Sequence, residues 1–173
     1  MPMYVPNVDG IIAAKLNKRD AKDSVRLATA AALAANTAAG SGIGKTLTAN
    51  ANGALTVDGV AVSAGDRGLV KNEAAGANNG IYTVTTVGGV TAPWVLTRAT
   101  DFDEDLEATS GIVVSVTEGT ANADTTWMLT TNDPITLDTT SLTFTAYTPP
   151  VSANPTASVA LAAVNGTAAT FMR

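Results

Sequence analysis

Between Ser24 and Thr148 short runs of valine, threonine, isoleucine and leucine alternate with clusters of glycine, asparagine and aspartate. The runs are SVRLAT, KTLTA, ALTV, GLVK, GIYTVTTV, WVLTRA, GIVVSVT, TTWMLTT and SLTFTAY. The pairs Asn52-Gly53, Asp58-Gly59, Gly65-Asp66, Asn79-Gly80, Gly88-Gly89, Glu118-Gly119 and Asp133-Pro134 divide them, each a chemical turn signal. In IYTVTTV, residues Ile81, Thr83, Thr85 and Val87 oppose Tyr82, Val84 and Thr86. That period of two is a strand's, although neither set is plainly the apolar one. Strands at this spacing, with no helical period between them, predict a mainly β fold: an antiparallel β-barrel or sandwich. The expected core is Leu55, Val57, Leu69, Ile81, Val84, Val95, Ile112, Val114, Trp127, Leu129, Leu142 and Phe144.

The flanks read differently, and they suggest three parts: an arm over 1–23, a β-rich module over 24–148 and an extended segment over 149–173. In the arm, Pro2 and Pro6 hold the first residues extended. Asn7 or Asp9 is placed to cap a short helix with Val8, Ile11, Ile12 and Leu16 roughly on one face, a pattern that Gly10 weakens. Lys15, Lys18, Arg19 and Lys22 bring four of the ten basic residues here. Such an arm is either a solvated amphipathic segment or one that docks its apolar face on a partner. After Thr148, Pro149-Pro150 and Asn154-Pro155 flank a linker that leads into ASVALAAVNGTAATFMR. Its apolar residues are small and it carries no charge before Arg173, so it is expected to need a neighbour's surface to order. Its end lacks a polar tail, from which a longer parent polypeptide is expected.

Composition supports the β reading and narrows the chemistry. Only 14% of residues are charged and 5% aromatic. Few helices in water are built with so little Glu, Lys and Arg, whereas threonine and valine suit a pleated surface. So little charge also suggests a surface covered in part by copies of the same chain. With no cysteine and no histidine, disulfides, thiolate metal sites and histidine-based triads are excluded. A net charge of −5, and no basic run beyond Lys18-Arg19, argue against nucleic acid binding. No apolar run approaches the ~18 residues of a membrane-spanning helix. The start, MPMYVPNVDG, lacks the charged and apolar regions of a secretory signal.

Two motifs suggest ligands. GSGIGKT, residues 40–46, resembles a phosphate-binding loop, but the pattern needs glycine at position 39, which holds Ala39. Such loops also join a buried parallel strand to a helix, and strand-forming residues follow this one. It is therefore expected to be a turn, with Lys45 facing solvent. DFDEDLE, residues 101–107, places five carboxylates in seven positions. Asp101, Asp103 and Asp105 match the first three ligands of an EF-hand loop, but Leu106 stands where glycine is needed and Ile112 where the bidentate glutamate belongs. A surface loop of mutually repelling carboxylates is expected, with weak cation binding at Asp101–Glu107 left open. The same acids are too clustered for a glycosidase pair. Trp94 and Trp127 read as core or edge packing. No cofactor is expected, and no enzyme activity.

The stretches LTVDGVAVSAGDRGLVKNEAAGANNGIYTV, WVLTRATDFD, GIVVSVTEGTANADTTWMLTTNDPITL and LTFTAY together resemble a module of tailed-bacteriophage tail fibre and related virion proteins. In that family the pattern is approximately a DG turn, AGDRVLVKNQ, NGIY, a TRA-TD segment, EG with NADT-W, and a closing LTF strand. The likeness runs from Ser24 to Tyr147; at Gly68 the family usually has an apolar residue, which puts local strand packing there in question. NPTASVALAAVNGTAATFMR is separately similar to a segment common in phage fibres, where more shaft follows.

The resemblance implies a virion structural protein, located in the tail: a fibre segment that attaches a receptor-binding fibre to the tail or baseplate for host adsorption. It further implies a homotrimer, with residues 149–173 beginning the trimeric shaft and the host receptor met by a distal part outside this chain. The arm would then be the anchor, burying Met3, Tyr4, Val5, Val8, Ile11, Ile12 and Leu16 in a tail or baseplate protein. A capsid decoration or head-fibre protein, or a glycan-binding module, are the alternatives.

Overall fold

A computed structural model describes residues 21–148. The expected arm and the C-terminal segment, with every candidate anchor residue from Met3 to Leu16, lie outside the described residues. The strands in chain order are β1 (Leu27–Ala28), β2 (Asn36–Ala39), β3 (Thr46–Ala49), β4 (Thr56–Val57), β5 (Val60–Ala61), β6 (Arg67–Val70), β7 (Gly80–Thr86), β8 (Val95–Arg98), β9 (Val113–Ser115), β10 (Thr126–Leu129) and β11 (Phe144–Ala146). Single 3₁₀ turns at Gly76–Asn78 and Asp105–Glu107 are the helical elements of this region. The fold is mainly β, and none of its described helices is long and apolar enough to cross a membrane.

Each of the nine runs contributes a strand. Strands β2 and β5 were not expected. The first is NTAA, whose alanines carry little strand signal. The second follows Asp58 and Gly59, both at positive φ (47° and 79°), which close β4 onto β5 as a two-residue hairpin.

Six strands form one sheet in the order β1-β6-β7-β8-β3-β2, and β9, β10 and β11 form a second, antiparallel one. Every pair in the larger sheet is antiparallel except β1 with β6. The segment before β1 ties the two sheets together. Val25 donates to Ser115 at 2.9 Å and accepts from Thr117 at 3.1 Å, then Arg26 donates to Arg67 at 2.9 Å. The chain enters this framework at Ala21, which bridges Val113. Among the described residues β2 pairs with β3 alone, so the larger sheet stays open and the arrangement is consistent with a sandwich rather than a closed barrel.

The alternation left unresolved in IYTVTTV has a simple cause: both faces of the sheet are covered. Ile81 joins Leu69, Ala28, Val114, Leu129 and Phe144 in a core between the two sheets. Tyr82 and Val84 join Leu27, Leu47, Val70, Leu96 and Trp94 in a second core on the opposite face, beneath Leu55 and Val57 of the hairpin region. Strand β7 is thus the centre of a layered structure, and its first residues must be apolar on both sides. Ten of the twelve expected core residues are buried. Val95 is half-buried because its face of the larger sheet, beyond the cover of the smaller one, is open. Trp127 is half-buried at the margin of the first core, with the Lys71 ammonium 3.9 Å from its ring centre. Gly68 lies in β6, and a Cβ there would meet only the Leu27 carbonyl, at 3.7 Å, an ordinary contact.

Candidate functional site

The phosphate-loop look-alike is the connection from β2 to β3, in which Gly40, Gly42 and Gly44 all adopt positive φ. Lys45 departs from the expected solvent-facing charge. Its side chain is buried, 3% exposed, rather than solvent-facing. Three left-handed glycines fold the loop back so that the Gly42 N–H and the Lys45 ammonium reach the same carboxylate, Asp138. Lys45 lies 2.5 Å from Asp138 Oδ1 and also donates to Asn78 Oδ1 at 2.8 Å. Arg98, on β8 and fully buried, donates to that same Oδ1 at 2.6 Å. Gly42 donates to Oδ2 at 2.6 Å.

One carboxylate thus holds two buried cations, and the surrounding residues are shaped to fit. The Arg98 guanidinium stacks 4.9 Å from the Tyr82 ring centre, where the ring face favours a cation. The Tyr82 hydroxyl donates to the Asn78 carbonyl at 2.7 Å. Gly80, at φ 143°, is where Arg98 and Phe102 approach the backbone, and any side chain there would run into both. Burial would by itself raise the Asp138 carboxyl, but the Lys45 and Gly42 donors and the Arg98 charge outweigh it and hold it below the ordinary carboxylate range. Burial pushes the Tyr82 phenol well above its ordinary value. Arg98 and Tyr82 belong to the TRATD and NGIY stretches; Asp138 lies outside the resembling stretches, and nothing local in the sequence marks its role.

Other residues of the quoted stretches also find one another. Arg67 of AGDR makes a bidentate pair with Asp101 of TRATD, at 3.0 and 2.9 Å. Asp58 of the DG turn accepts from the Ala121 and Asn122 amides and from the Asn122 side chain at 2.8–3.1 Å. Those donors outweigh burial and lower the Asp58 carboxyl. Asn122 in turn donates to the Ala28 carbonyl at 3.2 Å, so the hairpin, the NADT loop and β1 are joined. Arg26 spans Asp66 and Glu118 at 2.6 and 2.9 Å.

The acidic loop is used both within itself and by distant segments. Asp101 serves Arg67, Asp105 accepts from the Leu137 amide at 2.8 Å, and Glu107 accepts from the Asp103 and Glu104 amides at 3.0 and 3.2 Å. Asp103 is buried beside Glu107, and burial first, then that neighbouring carboxylate, raise its carboxyl. Among the described residues no group of three or more carboxylates is placed to hold a metal ion. Trp94 is core. It floors a shallow surface groove of about 360 Å³ lined chiefly by Ala30–Ala34 and Ala54–Asp58.

These contacts define a β module whose charged motif residues are engaged in holding strands and loops in place. No protein-family model, curated protein or solved structure matches the chain.

Proposed function

We propose that the chain is a structural protein of a tailed-bacteriophage virion, a tail-fibre segment that attaches a receptor-binding fibre to the tail or baseplate. In this reading Met3, Tyr4, Val5, Val8, Ile11, Ile12 and Leu16 bury in a tail or baseplate protein. Residues 149–173 begin a homotrimeric shaft, and a distal part outside this chain meets the host receptor. The reading rests on the resemblance of the Ser24–Tyr147 stretch to fibre modules. One observation supports it above others: the charged and polar residues of the resembling motifs are mutual partners. Arg67 pairs with Asp101, Asp58 with Asn122, and Arg98 packs on Tyr82 over Gly80. A motif whose residues serve each other specifies a rigid element, which is what a connector under mechanical load requires.

The test is removal of residues 1–20 from the chain in an infective particle, leaving the Ala21 bridge to Val113 intact. The truncated protein should keep its β-sheet signal and melting temperature, and particles should lack it at the tail. Truncated chains that still assemble onto tails would refute the anchor, and labelling of the intact chain at the head would refute the tail assignment.

A further inference from the structure

Among the described residues, strand β2 is an outer strand of the larger sheet with one side unpaired. Its pairing with β3 follows Ala39↔Thr46 through Asn36↔Ala49, and the Asn50 amide donates to the Ala35 carbonyl at 2.9 Å. On the other side of β3, Ala49 donates to Trp94 at 3.1 Å and Arg98 to Lys45 at 2.8 Å. Odd residues of β3 therefore bond to β8 and even ones to β2. By the same alternation Ala35, Thr37 and Ala39 spend their backbone groups on β3, while the N–H and C=O of Asn36 and Ala38 point outward.

Edges of this kind are ordinarily blunted by lysine, proline, a bulge or an inward-pointing charge. Here the strand reads NTAA, with Thr37, Ala38 and Ala39 exposed. From Leu27 to Val57 the only charged residue is Lys45, and it is buried against Asp138. Ala34 and Ala35, just before the strand, are exposed as well, and the Glu73 carboxylate accepts from the Asn36 side chain at 3.1 Å and from the Leu33 amide at 2.9 Å. With the Glu73 carboxylate engaged by two donors and no charge on the strand itself, the open backbone donors and acceptors fit an uncharged strand.

We infer that β2 pairs with β2 of a second copy of this chain, antiparallel about a two-fold axis through Thr37. In that register Asn36 lies opposite Ala38 of the second copy and Ala38 opposite its Asn36, so every outward N–H and C=O on both strands finds a partner. Thr37 meets its own equivalent as a non-hydrogen-bonded pair. The strand is its own complement: neither copy of it carries a charged residue, and no outward group of Asn36 or Ala38 is left over. Thr37 shares its sheet face with Thr48 and Val95, its neighbours across β3 and β8, so the open threonine face continues from one copy into the next. A two-fold contact cannot close a three-fold ring; in a trimeric assembly this seam joins copies belonging to different trimers. The pairing requires nothing of the virion reading.

The full chain contains no cysteine, which makes a site-specific cross-link clean. In the two-fold register the Thr37 Cα atoms of the two copies lie about 4.5 Å apart, within the disulfide range. Those of Ala39, also exposed, lie about 14 Å apart at the rise of a strand. Under mild oxidation at high protein concentration, Thr37→Cys should form a covalent dimer at least about tenfold faster than Ala39→Cys, a difference in proximity that chance collision lacks. Adding Ala38→Pro removes an outward N–H without touching the β3 ladder, and should abolish the advantage. Equal rates for the two cysteines, or an advantage that survives the proline, would overturn the pairing. A second measurement uses the unmodified chain: the Asn36 and Ala38 amides should exchange with solvent more slowly as protein concentration rises. Exchange independent of concentration up to the solubility limit would overturn it as well.

Discussion

Replacing Asp138 by asparagine should destabilise the module far more than breaking any of its surface ion pairs. The substitution keeps the side chain's shape and an acceptor for the Gly42 amide, but it removes the one negative charge shared by Lys45 and Arg98. Those cations are 3% and 0% exposed in their side chains, so water cannot replace the lost counter-charge. Removing one partner of a buried pair leaves an uncompensated charge at a cost of about 3–5 kcal/mol. For a domain of this size that lowers the melting temperature by about 10–20 °C. Glu118→Gln, which breaks a pair whose acid is half exposed, should change stability by about 0–1 kcal/mol.

The acid dependence follows from the same geometry. The folded Asp138 carboxyl titrates below its ordinary range. Its contribution is therefore fully present above the unfolded value of about 4 and is lost as pH falls through the lower, folded value. The gap between the parent and Asp138→Asn should be widest near neutrality and should narrow in acid. Thermal melts by circular dichroism from about pH 7 downward measure both quantities. A gap below about 3 °C at pH 7, or one that does not narrow in acid, would refute the argument that this carboxylate neutralises two buried cations.

Two further substitutions probe neighbouring features. Gly80→Ala should cost about 2 kcal/mol or more, because the added Cβ meets both the Arg98 guanidinium and the Phe102 ring at a positive φ; chemical denaturation that finds the variant equal to the parent would contradict this. Asp103→Asn should raise stability at neutral pH. The buried carboxyl is held above its ordinary value, so ionisation disfavours the fold, and that penalty fades as pH falls through the raised value. The advantage should accordingly shrink in acid, and a variant less stable than the parent at pH 7 would count against the assignment.

The strands of this protein are written locally, and so they were legible. Runs such as GIYTVTTV and GIVVSVT combine β-branched residues with flanking glycine or asparagine, and each became a strand. Asp58-Gly59 specifies a two-residue hairpin by the positive φ that both residues must adopt. What is not local was not legible. Strand β2 is alanine, threonine and asparagine, and it is a strand because β3 offers it a ladder, so only the assembled sheet reveals the edge at Asn36 and Ala38. The period-two pattern of β7 has no polar face to find at its start, since Ile81 and Tyr82 sit in different cores on opposite sides.

The charges show the same division most clearly. Lys45 sits beside glycines in a turn, where a lysine ordinarily faces water, and its partner Asp138 is 93 residues away. Arg98 is 40 residues from that same carboxylate. Sequence alone determined that the chain would be β-rich and where its turns would fall, because backbone preferences act over a few residues. Which of its few charges would be buried together was decided by the tertiary structure, because a buried ion pair depends on where distant segments of the chain meet.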